Sequence, residues 1–545
     1  MQNPLSGAQK YDQGMGGILQ RLFAIDPRSL ALFRICIGLV LLGDLLTRGS
    51  DILLHYSDLG VLPREALWQL FLLSKWHWSL HALTGSVAGQ TVLFVFAVAC
   101  AVALILGYRT RLATVLSWLL LASLHARNPM LQYGADHLLR MLLFWSMFLP
   151  LGCYCSIDRL RGVVAQGWPG RHLSMASAAI LLQMFMLYFF SGLFKRNEIW
   201  QGGEGLYLAF SNDMFSKPLA HHLLEYPQFL EQASLVIPWL QFLVPFLLFV
   251  PWGTVRFRTL AILVLAGFHV AIELLLATGV FQYVGLSGLM LFLPSEFWDR
   301  LSTGRRLGNT LQAITSAARV QLLSVFRRDA RPEPKPRGRW IYGVVQVLVC
   351  GLFIYVLAWN IATLKINDYA RKNNVSWMSE GPEGRFVPRL MRLDYAVERM
   401  FGSFGWIGRI AKLHQHWAMF QRGGGSVNGW HVIVGTLIDG REINLLEGGA
   451  PFDGMSHRKP YPVFALYSNT RWRVYYRYLR FAASVREFLP GAISRDWNQQ
   501  HPDLQITQLR ISSILVESNA PTGRTSEPQE FLWYEGPASG LDTRP

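Results

Sequence analysis

Charged residues and cysteines are both scarce in this 545-residue sequence. Asp, Glu, Lys and Arg make up only 16% of it, whereas a soluble domain carries about 25%. This shortage argues against an ordinary cytosolic enzyme, and 51% hydrophobic and 13% aromatic residues exclude disordered or collagen-like chains. The five cysteines lie in or beside apolar segments and form no disulfide framework. What remains is a polytopic α-helical membrane protein.

The formal net charge of +16 raises the question of a nucleic-acid partner. The basic residues, however, cluster between apolar segments, as expected for cytoplasmic loops that face anionic lipid. We therefore predict a lipid bilayer as partner and no nucleic acid.

Nine apolar segments are candidates for membrane spans, which need roughly 17–25 mostly apolar residues. Two are short and a third is interrupted by proline, so we predict eight or nine spans. The candidates cover residues 30–46, 91–106, 112–125, 137–151, 176–194, 234–250, 260–277, 280–293 and 341–361.

The distribution of Lys and Arg predicts the orientation of these spans. A cytoplasmic N-terminus places every basic cluster on one side, and the first span is retained because no signal-peptide cleavage site follows it. Residues 305–328 are predicted to form an amphipathic helix on the inner membrane surface. The clusters contain Arg109 and Arg111, Arg159 and Arg161, Arg256 and Arg258, and the stretch 300–339.

The pattern divides the chain into five parts. They are a cytoplasmic leader (1–28), a transmembrane domain (29–295), a basic cytoplasmic loop with a Pro-rich linker (296–340), a last span (341–361) and an extracytoplasmic α+β domain (362–545).

The C-terminal region has the alternation of a small α+β domain. GWHVIVGTLIDGREINLL predicts two strands joined at Asp439 and Gly440. TRWRVYYRYLRFAASVREFL predicts helix, and LQITQLRISSILVES and EFLWYEG predict strands. Residues 392–420 are amphipathic, with Trp406 and Trp417 as expected interfacial anchors.

Ionisable residues inside spans are costly and therefore candidates for function. Arg34 and Asp44 in the first span form either a functional group or an internal charge pair or backbone contact. His269 and Glu273 lie one helical turn apart, which is too few ligands for a metal site. We predict instead a hydrogen-bonded pair that lines a cavity, and no metal.

Polar residues are dense in the loop LHARNPMLQYGADHLLRMLLFW. They either cradle a polar substrate group or satisfy helix ends, and composition leaves both interpretations open. The residues are His125, Arg127, Asn128, Asp136, His137 and Arg140.

Lys195 follows an apolar span in YFFSGLFKRNEIWQGGEGLYLAF, a segment that begins with Tyr188. Apolar surroundings favour a neutral amine that can take a proton. Alternatively, the side chain snorkels to the lipid headgroups. Spacing alone leaves both open.

Five stretches, in order over roughly residues 20–295, resemble the membrane family of vitamin K-dependent gamma-carboxylases and their bacterial relatives, the HTTM family. They are IDPRSLALFRICIGLVLLGDLL, HYSDLGVLPREAL, RNPMLQYGADHLLRMLLFW with LGCYCSIDRL, YFFSGLFKRNEIWQG, and GFHVAIELLLATGVFQYVGL.

The resemblance implies a reaction. In the carboxylases a lysine deprotonates vitamin K hydroquinone, oxygen converts the anion to an epoxide through a strong base, and that base prepares a peptide glutamate to react with carbon dioxide. The resemblance implies Lys195 and His137 as catalytic residues. The expected substrate-binding residues are Tyr188, His269, Glu273, Arg127, Asn128, Asp136 and Arg140.

This sequence departs from the family in two ways. The carboxylases have two consecutive lysines where this chain has Phe194 and Lys195, and their long propeptide- and glutamate-binding region has no clear counterpart. The implied co-substrates are reduced vitamin K or a menaquinone-type quinol, oxygen and carbon dioxide. Because of the departures, the chain either keeps only the quinol oxidation or also carboxylates an acceptor, which is an exported protein, a peptide or another molecule. The implied location is a bacterial inner membrane.

A second hypothesis is a non-catalytic assembly or maturation factor that binds client proteins through its C-terminal domain. A transporter is disfavoured because no inverted repeat is visible in the sequence.

Overall fold

The computed structural model describes residues 15–71, 76–163, 170–303, 339–372, 396–421, 427–479, 483–518 and 525–538. The predicted amphipathic segment 305–328 lies outside these residues. The α-helices described up to residue 372 are α1 (Met15–Phe23), α2 (Pro27–Gly49), α3 (Ile52–Tyr56), α4 (Arg64–Phe71), α5 (Val87–Leu106), α6 (Thr110–Arg127), α7 (Gly134–Ser146), α8 (Ile157–Leu160), α9 (Met175–Phe194), α10 (Glu198–Gln201), α11 (Gly205–Phe210), α12 (Pro218–Leu223), α13 (Pro227–Leu247), α14 (Thr254–Leu275), α15 (Phe281–Leu289), α16 (Ser295–Thr303) and α17 (Arg339–Lys372).

A helix stands at each of the nine predicted spans. Within the described residues, six are long and apolar enough to cross a membrane: α2, α5, α9, α13, α14 and α17. The other three are α6, which has 18 residues and ends at Arg127, α7, which has 13, and α15, which a 3-10 turn extends to Phe292. The last helix runs past the predicted end at residue 361 to Lys372. Its 34 residues reach about 50 Å, more than a bilayer core of about 30 Å.

Helix α9 is held close to α13 by a glycine near its C-terminal end. A Cβ atom on Gly192 would lie 2.8 Å from the backbone nitrogen of Phe242 and 2.9 Å from the carbonyl oxygen of Pro238. Only a residue without a side chain allows the two backbones this approach. The contact therefore fixes the end of α9, where Lys195 follows.

The C-terminal domain is built on a five-stranded antiparallel sheet. Its elements are β1 (Val427–Leu437), β2 (Glu442–Asn444), β3 (Ala450–Pro451), β4 (Ile506–Glu517), β5 (Gln529–Pro537), α18 (Gly405–Ile410), α19 (Thr470–Leu479), α20 (Ala483–Arg486) and α21 (Leu489–Gln500). The strand order is β3-β2-β1-β4-β5. The predicted hairpin is confirmed, and Gly440 in its turn has a positive φ of 85°. The predicted later strands and helices are present as well.

A buried charge network joins this domain to the helical bundle. Arg471 of α19 contacts Asp44 of α2, and its other terminal nitrogen lies 2.6 Å from Asp136 of α7. Arg48 lies 2.8 Å from Asp44 and 2.6 Å from Asp136. All four side chains are at most 3% exposed. Two carboxylates and two guanidinium groups thus neutralise each other, since a buried charge without a partner would be costly.

The first span contains no Arg34–Asp44 pair. Arg34 donates to the carbonyl oxygen of Cys155, while Asp44 pairs with the two arginines of the network. The expectation of a backbone contact therefore holds for Arg34, and the expectation of an internal charge pair holds for Asp44, with Arg48 and Arg471 as its partners. Ten residues of helix separate the two by about 15 Å along its axis.

Replacement of Gly192 with alanine should loosen the packing of α9 against α13. We expect a loss of about 1–3 kcal/mol because the added methyl group meets backbone atoms. The measurement is denaturant unfolding of the detergent-solubilised protein. Gly267→Ala in α14 is the control, since a Cβ there meets nothing within 4 Å. Equal midpoints for the two variants would contradict the proposed close contact.

Arg471→Met should destabilise the junction by about 3–5 kcal/mol because it leaves Asp44 and Asp136 with one buried cation between them. Unfolding curves of the same preparation measure the effect. Arg477→Met provides the control, since Arg477 is an exposed residue of the same helix. Equal unfolding midpoints for Arg471→Met and Arg477→Met would contradict the stabilising role of the network.

Candidate active site around Lys195

Lys195 caps the C-terminal end of α9 and is buried, with 5% of its surface exposed. Its Nζ donates to the carbonyl oxygens of Met419 at 2.9 Å and Ser191 at 3.5 Å. The amine lies 5.6 Å from the ring centroid of Trp200. Among the described residues, no carboxylate lies within ion-pair distance of it. A snorkelling side chain would end in solvent, so this alternative is wrong.

The surroundings of Lys195 favour its neutral form. Burial lowers the pKa of the amine from 10.5 to about 7, which corresponds to about 5 kcal/mol. The end of a helix attracts a cation, but by only about 0.3–1 kcal/mol. Desolvation is therefore the larger effect, and the amine can be neutral near physiological pH.

Residues 411–421, which we call the strap, run between the C-terminal domain and the helix ends that carry Lys195. Side chains of the bundle donate to carbonyl oxygens along this segment, so the strap is held mainly through its backbone. The donor and acceptor pairs are Arg140 with Lys412 and His414, Ser191 with Trp417, Lys195 with Met419, Trp200 with Phe420, and Asn197 with Gln421.

The predicted catalytic residue His137 faces the same strap. Its Nδ1 lies 3.3 Å from the carbonyl oxygen of His414, and Arg140 donates to that oxygen at 2.6 Å. One turn earlier, a Cβ on Gly134 would lie 2.3 Å from the sulfur of Met419. The structure therefore brings Lys195, His137 and Arg140 onto one segment.

Trp417 lies within the strap and is completely buried, with 0% exposure. The prediction that it anchors the chain at the membrane interface is therefore wrong, because its ring packs inside the protein. Trp406 is 45% exposed, with its ring centroid 6.1 Å from that of Trp76.

Three other predicted substrate-binding residues hold helix ends. Arg127 donates to the carbonyl oxygens of Ser57 and Leu62, and Asn128 donates to that of His55. Asp136 accepts from the backbone nitrogen of Tyr133 and belongs to the buried charge network. These contacts favour the structural interpretation of this loop, and substrate binding by these residues stays a prediction.

His269 is hydrogen-bonded to Tyr188 and Gln282, not to Glu273. The Tyr188 hydroxyl lies 2.8 Å from Nε2, and the Gln282 side-chain oxygen lies 2.9 Å from Nδ1. Nδ1 therefore donates and Nε2 accepts. A Cβ on Gly285 would lie 2.3 Å from the imidazole, so glycine makes room for this ring.

Glu273 instead forms an ion pair with Lys217 at 3.0 Å and is 34% exposed. The predicted hydrogen bond between His269 and Glu273 is wrong: both lie on the same face of α14, but each is bonded to side chains from another part of the chain.

Asp44, His125 and Asp136 could each direct a ligand atom to one point, since these atoms lie within 4.8 Å of one another. Arg48 and Arg471 already donate to both carboxylates. Two guanidinium groups repel a cation, so the donor set fits an ion-pair network and does not fit a metal ion.

Several residues that hold the strap were not predicted. Gln183 donates to the side-chain oxygen of Gln415 at 2.6 Å, and Asn197 and Trp200 hold the end of the strap. Gln183 could have been predicted, because it is a polar residue inside the apolar sequence of α9. The strap itself gave no signal, because most of its contacts use backbone carbonyl groups that any residue carries.

Comparison with known proteins gives one match. The HTTM domain family matches residues 23–298, more than half of the chain, and this segment includes Lys195, His137 and His269. No curated protein and no solved structure matches. The chain therefore belongs to the HTTM family, consistent with its resemblance to the vitamin K-dependent carboxylases.

Proposed function

We propose that this protein is a membrane enzyme in which Lys195 takes a proton from a reduced quinone of the vitamin K or menaquinone type. The quinol supplies the electrons: one oxygen atom of O₂ enters the quinone epoxide and the other leaves as water. The strong base formed during this oxidation allows carbon dioxide to replace a proton on the acceptor, a protein glutamate or another molecule.

The observation that carries this proposal is the buried amine of Lys195 without a carboxylate partner in the described part of the chain. A neutral amine has two N–H donors and one lone pair. The carbonyl groups of Ser191 and Met419 can accept both donors, which leaves the lone pair to accept a proton. The face of Trp200 favours the ammonium form, but by only about 0.5–2 kcal/mol, less than the cost of burying the charge.

The apolar surroundings of α9 also suit the reaction. A quinol is soluble in lipid and can enter from the bilayer, and a site without bulk water protects a strong base from being quenched. The strap covers Lys195. We therefore infer that a quinol hydroxyl displaces the Met419 carbonyl group from the amine when it binds.

Two histidines complete the proposed site. His137 contacts the strap through Nδ1, and we assign it to the carboxylation half-reaction. His269 is held in place by hydrogen bonds to Tyr188 and Gln282, and we assign it to binding the quinol.

The proposed orientation has the N-terminus in the cytoplasm and the C-terminal domain outside, in a bacterial inner membrane. Two observations support it. The pairs Arg109 and Arg111, and Arg256 and Arg258, lie at one end of the bundle. The C-terminal domain contacts the opposite helix ends, through Asp136 at the start of α7 and Lys195 after α9.

A second candidate function is the binding of client proteins by the C-terminal domain. Strand β5 lies at the edge of the sheet and carries the exposed residues Phe531 and Leu532. An exposed edge strand can pair with an extended peptide. This function requires no chemistry at Lys195, so the following experiment separates the two.

Lys195→Ala should lower the rate of quinol epoxide formation by about 10²–10⁴-fold, the usual contribution of a general base. The assay uses the full chain in lipid nanodiscs with a reduced quinone, follows oxygen uptake and detects the epoxide by mass spectrometry. Incorporation of labelled carbon dioxide into exported proteins measures the carboxylation step.

Lys195→Arg is the decisive companion variant. Arginine can keep the hydrogen bonds to the strap but cannot lose its proton, so it should be as inactive as alanine. Lys365→Ala, at an exposed lysine of α17, should retain full activity. Wild-type rates in the Lys195 variants would refute the proposed base, and capture of clients by an inactive protein would favour the second function.

The pH dependence should follow the protonation of Lys195. Because burial lowers its pKa to about 7, the amine is neutral above that pH and protonated below it. We expect kcat/KM to be constant above pH 8 and to fall about tenfold per pH unit below 6.5. A profile that stays flat down to pH 5.5 would exclude this amine as the base.

A further inference from the structure

A cavity of about 460 Å³ lies where the outer end of α2 meets the C-terminal domain, and Lys195 is not among the residues that line it. Its volume is within the range of small-molecule sites, about 300–1,000 Å³. The lining contains Asp44, Thr47, Tyr133, Ala277, Gly279, Val280, Phe464, Ala465, Tyr467, Ser468, Asn469, Thr470, Arg471 and Arg473.

The charges in this lining do not balance. Among the described residues that line the cavity, Asp44 is the only acid, and it is paired with Arg471 and Arg48. The other terminal nitrogen of Arg471 donates to Asp136 and to a backbone carbonyl oxygen. Arg473 is the second cation of the lining, and it forms no ion pair within the described residues.

Arg473 is the unusual member of this set because it is only 6% exposed. One terminal nitrogen donates to the Thr470 hydroxyl at 2.5 Å, the guanidinium carbon lies 5.7 Å from the ring centroid of Phe464, and Nε has no hydrogen-bond partner in the described part of the chain. Burial lowers the pKa of this guanidinium to about 10. A buried cation with unused donors is costly unless an anion meets it.

The rest of the lining indicates the shape of that anion. Polar residues Asn469 and Thr470 adjoin Arg473 in the chain, whereas Val280, Phe464 and Tyr467 supply apolar surface. The entrance of the cavity lies at its exposed lining residues, which are Thr47, Ala465 and Ser468. One guanidinium without an ion pair among the described residues matches a single negative charge, and its planar donors match a carboxylate.

We propose that this cavity binds a carboxylate with an apolar body, and that Arg473 receives the carboxylate group. This site is separate from Lys195 and does not depend on the proposed quinol chemistry. Asp44 does not oppose this binding, because Arg48 and Arg471 already neutralise its charge.

The test is calorimetric binding to the purified full chain at pH 7. Phenylacetate is the probe, and phenylacetamide, which has the same shape without the charge, is the matched control ligand. We expect phenylacetate to bind at least about tenfold more tightly than the amide. Equal affinities, or no heat from either ligand at millimolar concentration, would overturn the proposal.

Three variants assign the binding to this cavity. Arg473→Gln should weaken phenylacetate at least about tenfold without changing the affinity for the amide. Ala465→Trp, at the exposed mouth, should block both ligands without disturbing the interior. Arg477→Gln, one turn further along the same helix and exposed, should bind like the wild type. Undiminished binding by Arg473→Gln, or by Ala465→Trp if Arg473→Gln does not fold, would refute the site.

Discussion

The structure depends on one constraint. Charged and polar groups at the helix ends are buried, so they must find their partners within the protein. Asp44 and Asp136 project from different helices, and both side chains are buried. Their partner Arg471 comes from the C-terminal domain. Buried apolar residues of both parts form one continuous core around it. The domain is therefore a component of the bundle and not an appendage.

The same requirement shapes the surroundings of Lys195. The strap presents carbonyl groups to its amine and to Arg140, and these dipoles satisfy donors without supplying a negative charge. A carboxylate in the same place would have fixed the lysine as a permanent cation. Backbone oxygens thus keep a polar group buried while leaving its protonation state free to change.

Much of this architecture could be predicted from local sequence. Apolar runs located all nine helices, and Asp439 with Gly440 located the hairpin. The identification of Lys195 as special rested on its position after an apolar span and on the family resemblance. Its burial was left open, because the atoms that cover it belong to Met419, more than 200 residues away in the chain.

The errors have the same origin. Trp417 looked like an interfacial anchor because amphipathic periodicity does not distinguish a face toward lipid from a face toward another part of the protein. His269 and Glu273 looked like a pair, although Tyr188 and Lys217 are the actual partners and come from distant segments. Patterns within one helix report its faces, and tertiary contacts decide what each face meets.

The long separation between the members of the charge network has a consequence for biogenesis. Arg471 is 427 residues from Asp44 and 335 from Asp136, so the ribosome delivers both acids to the membrane well before the cation that completes their set. Until Arg471 is made, Arg48 is the one arginine of the network beside the two carboxylates. Completion of the network therefore awaits the synthesis and folding of the C-terminal domain.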